Sequence, residues 1–147
     1  MKLLPTLAFA ALSFHASAVD LVCPGTNTDV SKENYFVGSN TSYTGTYYIS
    51  FNDDLSKLTS LKSSSPLNRD PNKKFSDLKR VHNVNITNST ITFDGMKKDS
   101  WANTTNTIKG KLERTTGQLI IVDKSEGDLV YKVTFIGNCT KTTDTKF

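Results

Sequence analysis

The stretch Leu129-Val130-Tyr131-Lys132-Val133-Thr134-Phe135-Ile136-Gly137-Asn138-Cys139 decides the fold. Leu129, Tyr131, Val133, Phe135, Gly137 and Cys139 share one parity, opposite Val130, Lys132, Thr134 and Ile136. Successive side chains of a strand point to opposite faces, so this period of two predicts a half-buried antiparallel strand. Working backwards, Ile108, Gly110 and Leu112 alternate with Lys109, Lys111 and Glu113. Thr115-Thr116-Gly117 turns the chain, Leu119 to Val122 is a short apolar run of strand type, and Ser125-Glu126-Gly127-Asp128 turns it again.

The first half of the chain carries the same signal with more interruptions. Val19, Leu21 and Cys23 share a parity, and Tyr43, Gly45, Tyr47, Ile49 and Phe51 form a longer alternating set. Asn52-Asp53-Asp54 punctuates that set with turn residues. Leu55, Leu58 and Leu61 recur at a spacing of three, and a strand is expected near Lys57 to Lys62. Leu78, His82, Val84 and Ile86 fall in a further strand, Asn88-Ser89 is a tight turn, and Ile91 and Phe93 carry the return. Residues 63–76 hold two prolines and no apolar period, and read as a long loop. Residues 96–106 read as a second long loop holding Trp101, the sole tryptophan.

About eight short strands joined by turns predict an all-β fold. The preferred form is a small antiparallel up-and-down barrel of the lipocalin kind, with a β-sandwich as the alternative. The inward set Tyr47, Ile49, Phe51, Tyr131 and Phe135 is large enough to fill a small barrel with its own side chains.

Met1-Lys2, the apolar run Leu3 to Phe14, and Ala16-Ser17-Ala18 make the pattern of a secretory signal peptide over residues 1–18. The apolar run is too short to span a bilayer. A length of 147 residues then leaves one domain, 19–147. Export exposes the chain to an oxidising compartment, where Cys23 and Cys139 are expected to form one disulfide. Two cysteines exclude a multi-cysteine zinc site and a disulfide-dense knot. The expected location is periplasmic or secreted, as a monomer without a membrane span.

No catalytic, cofactor or metal residue is assigned. His82 could act as a general base, but no Gly-x-Ser-x-Gly nucleophile is present and both cysteines are expected to be oxidised. Asp53-Asp54 and Glu126/Asp128 read as turn acids, with no Asp-x-Asp-x-Asp-Gly run for calcium. The net charge is +4, and the most distinctive basic segment holds Lys62, Arg69, Lys73, Lys74, Lys79 and Arg80. Lys97 and Lys98 sit in the other long loop. Brought to one end, these residues would form a basic rim around Trp101, suited to an anionic glycan, a lipid head group or an acidic protein. The plainer reading is a pair of solvated loops with Trp101 plugging one barrel end. Nucleic acid is a poor partner for an exported chain without a recognition motif. Sequons at Asn40, Asn85, Asn88, Asn103 and Asn138 matter only in a eukaryotic source.

The run Leu112-Glu113-Arg114-Thr115-Thr116-Gly117-Gln118-Leu119 resembles a hairpin of small secreted proteins from Gram-negative bacteria. Those proteins also carry a cysteine just after the signal peptide and a C-terminal Gly-x-Cys with a basic tail ending in Phe. Here the tail is Gly137-Asn138-Cys139-Thr140-Lys141 to Lys146-Phe147. This resemblance covers the two ends and the hairpin. It implies a compact periplasmic or secreted β domain and carries over no catalytic residues. A weaker resemblance is to periplasmic inhibitors of C-type lysozyme, with their Ser-Gly-x-x-Tyr and Thr-Lys-Gly loop elements. Thr44-Gly45-Thr46-Tyr47-Tyr48 and Thr107-Ile108-Lys109-Gly110 are similar but depart from both patterns. The expected function is therefore non-catalytic, in binding or envelope association. A small-ligand binder of lipocalin type and a lysozyme or hydrolase inhibitor are the alternatives.

Overall fold

The computed structural model describes residues 19–31, 41–52, 55–64, 75–101, 103–128 and 130–142. The leader, the Asn40 sequon, Asp53-Asp54, the cations Arg69, Lys73 and Lys74, Leu129 and the tail 143–147 lie outside them. Among the described residues, ten strands form a single antiparallel sheet. They are β1 (Val19–Ser31), β2 (Thr41–Phe51), β3 (Leu58–Ser64), β4 (Phe75–Ser76), β5 (Asn83–Ile86), β6 (Thr90–Asp99), β7 (Thr104–Glu113), β8 (Gln118–Gly127), β9 (Tyr131–Asn138) and β10 (Thr140–Lys141). With β4 and β10 only two residues long, eight strands carry the sheet.

The spatial order is β4-β3-β2-β1-β9-β8-β7-β6-β5, with β10 also on β1. Along this path only β1 and β9 are non-consecutive neighbours, so two meanders join through the first and last long strands. The sheet curls into a half-barrel, with an open seam between β4 and β5. The chain itself crosses that seam. The Asp77 N–H donates to the Leu61 carbonyl at 2.9 Å, and the His82 N–H to the Asp94 carbonyl at 2.9 Å. Between them lies a 3-10 turn, Leu78–Arg80. It passes so close to β6 that a Cβ on Gly95 would overlap the Arg80 carbonyl. Glycine is the residue that permits such a backbone approach.

Cys23 and Cys139 are joined, with S–S 2.02 Å and Cα–Cα 3.9 Å. The flanking pairs Val22–Thr140 and Gly25–Gly137 place them directly opposite each other. The ladder between β1 and the C-terminal strands is interrupted at this point, where Pro24 has no N–H to donate. The disulfide therefore crosslinks adjacent strands at the junction of the two meanders.

The inner face is apolar through most of its height. Ile49, Phe51, Leu61, Ile108, Leu119, Ile121 and Phe135 are each at most 1 % exposed. Each such side chain contributes about 1.5–3 kcal/mol by leaving water. The Phe135 ring meets Tyr47 edge-on at 4.7 Å. The outward face carries Lys109, Lys111, Lys124 and Lys132, all exposed. Lys111 pairs with Glu113 at 2.5 Å, and Lys124 pairs with Glu126.

Three expectations are corrected. Residues 96–106 are the upper parts of β6 and β7, in register from Asp99–Thr104 to Met96–Thr107, with a short tip between. Met96, Lys97 and Lys98 are all exposed there, so neither parity of β6 is apolar and the alternation disappears. Leu78 is not in a strand, because the seam crossing requires a turn before β5 starts at Asn83. Trp101 does not plug the barrel: it is 95 % exposed.

Candidate functional site: the polar end of the barrel

Strand direction gives the half-barrel two unlike ends. One end holds the β5–β6 and β7–β8 turns and the disulfide. The other holds the β6–β7 tip, the β8–β9 turn and the ends of β1 and β3. Toward this second end the inward parity switches from apolar to polar. On β1 it runs Cys23, Gly25, Asn27, Asp29; on β8 it runs Leu119, Ile121, Asp123, Ser125. Tyr43 and Tyr47 of β2 and Tyr131 of β9 share the same interior.

Arg80 links the seam crossing to the far wall. Its guanidinium donates twice to Asp123, at 2.7 and 2.6 Å, and once to Asp77 at 3.5 Å. The side chains of Arg80 and Asp123 are 21 % and 22 % exposed, so the pair is largely withdrawn from water. The hydrogen bond to Asp123 holds the Arg80 guanidinium above its usual range, against the opposing effect of burial. The Ser63 hydroxyl donates to the other Asp77 oxygen at 3.0 Å. Burial pushes the Asp77 carboxyl up, and its bonds to Ser63 and Arg80 only partly offset that.

A cavity of about 140 Å³ lies among these groups, lined by Asn27, Tyr43, Tyr47, Ser63, Asp77 and Asp123, with Val133 as an apolar wall. Asn27 is 7 % exposed. Its amide lies against Gly45, where any Cβ would overlap the Nδ2 atom, and it makes no side-chain hydrogen bond to a described residue. Burial raises the Tyr47 hydroxyl pKa well above its ordinary range, reinforced by Asp77 and Asp123. Tyr43 is raised by burial, with added effects of Asp29 and Asp123. Two residues beyond Asn27, the Asp29 Oδ1 atom is buried without a hydrogen-bond partner among the described residues, and burial raises that carboxyl above its ordinary value. The Tyr131 hydroxyl donates to Asn106 Oδ1 at 3.4 Å. Folded proteins pair nearly all buried polar groups, and at this end the Asp29 Oδ1 atom is an exception.

The residues expected at a basic rim divide. Arg80 turns inward, and its charge is committed to two carboxylates. Lys62, Lys79, Lys97 and Lys98 are exposed, and Trp101 stands at the β6–β7 tip with its backbone N–H donating to Asp99 Oδ1 at 3.0 Å. Lys62, Lys97, Lys98 and Trp101 are on strands or tips toward the polar end, around its outside. His82 is also exposed, with Nε2 3.0 Å from the Met96 carbonyl, away from the cavity. Among the described residues no group of three His, Cys, Asp or Glu could hold a metal ion. None of their helices is long and apolar enough to cross a membrane. The interior cluster of Asn27, Asp29, Asp77 and Asp123 was not anticipated. Its signal was present: a polar or charged residue on the inward parity of an otherwise apolar strand, twice.

No family, curated protein or solved structure matches this chain.

Proposed function

We propose that the chain is an exported, non-catalytic binding domain that takes a small polar ligand into the open polar end of its half-barrel. Export rests on the leader pattern and accords with the Cys23–Cys139 disulfide. Binding rests on one observation above all: Asn27, a residue only 7 % exposed, lines the cavity with no side-chain hydrogen-bond partner among the described residues. A site built on opposed strands is also held more rigidly than one built on loops.

A thermal-shift series with ethanolamine, glycerol, glucosamine and citrate tests the reading. At least one solute is expected to raise the Tm of the wild-type protein and to lose that effect in Asn27→Leu. Equal responses of the two proteins to every solute would remove the polar end as the site.

A second reading draws on Trp101. A tryptophan 95 % exposed at a hairpin tip, near Lys97 and Lys98, suits a protein partner with an acidic, apolar-centred surface. The periplasmic or envelope roles expected from sequence are compatible with either reading. The lysozyme-inhibitor alternative has less support, because Gly45 and Tyr47 face the interior and Ile108 and Gly110 are buried in β7.

A further inference from the structure

The chemistry of the cavity narrows its occupant. Resting on the binding reading above, we infer that the ligand presents an organic ammonium group to the polar end of the barrel. Asp29, Asp77 and Asp123 share this interior with one guanidinium, Arg80. Among the described residues of this interior, three negative charges against one positive leave a formal surplus of two negative charges. Arg80 cannot reduce it further, since its bonds already go to Asp123 and Asp77. Asn27 is a second and independent pointer: it is neutral, the residue is 7 % exposed, and its side chain lines the same cavity with no hydrogen-bond partner among the described residues.

An ammonium supplies what is missing, one positive charge and three donors with no acceptor. The Asn27 amide oxygen, the Tyr47 hydroxyl and unused lone pairs of Asp77 and Asp123 are acceptors lining the space. An anionic ligand would meet like charges. A bare metal ion lacks its ligand set among the described residues. The volume of about 140 Å³ is below the usual range of roughly 300–1,000 Å³ for whole small-molecule sites. It fits the charged end of a molecule whose remainder projects through the open mouth.

Ethanolamine, ethylene glycol and glycolate share a two-carbon frame and end in an ammonium, a hydroxyl and a carboxylate. Each is titrated into the isotope-labelled mature protein near neutral pH and followed through the Asn27 side-chain amide and the Tyr43 and Val133 resonances. Ethanolamine is expected to bind at least about fivefold more tightly than ethylene glycol, the worth of one partly screened charge contact, with glycolate weakest. Asp29→Asn removes one unit of negative charge and is expected to shrink that preference at least about twofold. Equal affinity for ethanolamine and ethylene glycol, a preference for glycolate, or an unchanged preference in Asp29→Asn overturns the ammonium inference and leaves the barrel-end reading intact. No shift at these three residues with any solute overturns both.

Discussion

The Asp29 Oδ1 atom is buried without a partner among the described residues, and burial holds the carboxyl above its ordinary value of 3.8. A raised folded-state pKa means that the folded protein binds this proton more readily than the unfolded chain does. The ionised group therefore costs stability above the raised value, and the cost fades as pH falls through it toward 3.8. Asp29→Asn should accordingly stabilise the unliganded protein modestly near neutral pH, since solvent screens much of the charge. Urea unfolding is expected to show the gain at neutrality and its loss in acid. A gain that persists at low pH would mean that the charge is not its source. Sequence reading missed this residue because the apolar parity of Val19, Leu21 and Cys23 does not continue past Cys23. It also counted Arg80 as a free rim cation, since pairing to Asp123, 43 positions away, leaves no local trace.

The strands were legible wherever one face is apolar and the other wet. The last strand, the β7–β8 hairpin and the Tyr43–Phe51 set all follow that alternation. It fails at the upper ends of β6 and β7, where both faces meet solvent or polar groups, and in β1 beyond Cys23, where Pro24 and the inward Asn27 and Asp29 hide the pattern. The cysteine pairing was legible from composition and compartment, but its place in the sheet was not. It joins opposed positions of adjacent strands across 116 residues of sequence. In the chain-entropy account a loop of that size contributes about 4–5 kcal/mol, as an upper figure. Reduction is expected to lower the urea midpoint sharply without changing the native-state spectrum of the β-sheet at low denaturant. An unchanged midpoint would show that the open-seamed sheet is held by its core alone.

For the whole molecule, the seam between β4 and β5 and the polar end are one problem with one solution. The chain crosses the seam through the 3-10 turn, and Arg80 on that turn ties the crossing to β8 through Asp123. Arg80→Ala leaves two carboxylates uncompensated and should cost about 2–3 kcal/mol, below the figure for a fully buried pair because both side chains keep some exposure. Arg80→Ala combined with Asp123→Ala should cost less than the sum of the singles, with a coupling of about 1–2 kcal/mol in a double-mutant cycle. Additive costs would mean that the contact does not hold the seam. Up-and-down topology and an apolar core could be read from strand count and parity, whereas the division of the interior into an apolar end and a polar end could not. That division depends on which ends of eight strands lie together, and only register supplies it.

The central claim is that ligand enters the polar interior and not the surface around Trp101. The most direct measurement is a map of amide chemical-shift changes across the labelled protein as ethanolamine is added. The account predicts changes centred on Asn27, Tyr43, Tyr47, Asp123 and Val133, with Trp101 and Lys98 undisturbed. Changes confined to Trp101, Lys97 and Lys98, with a silent interior, would contradict it.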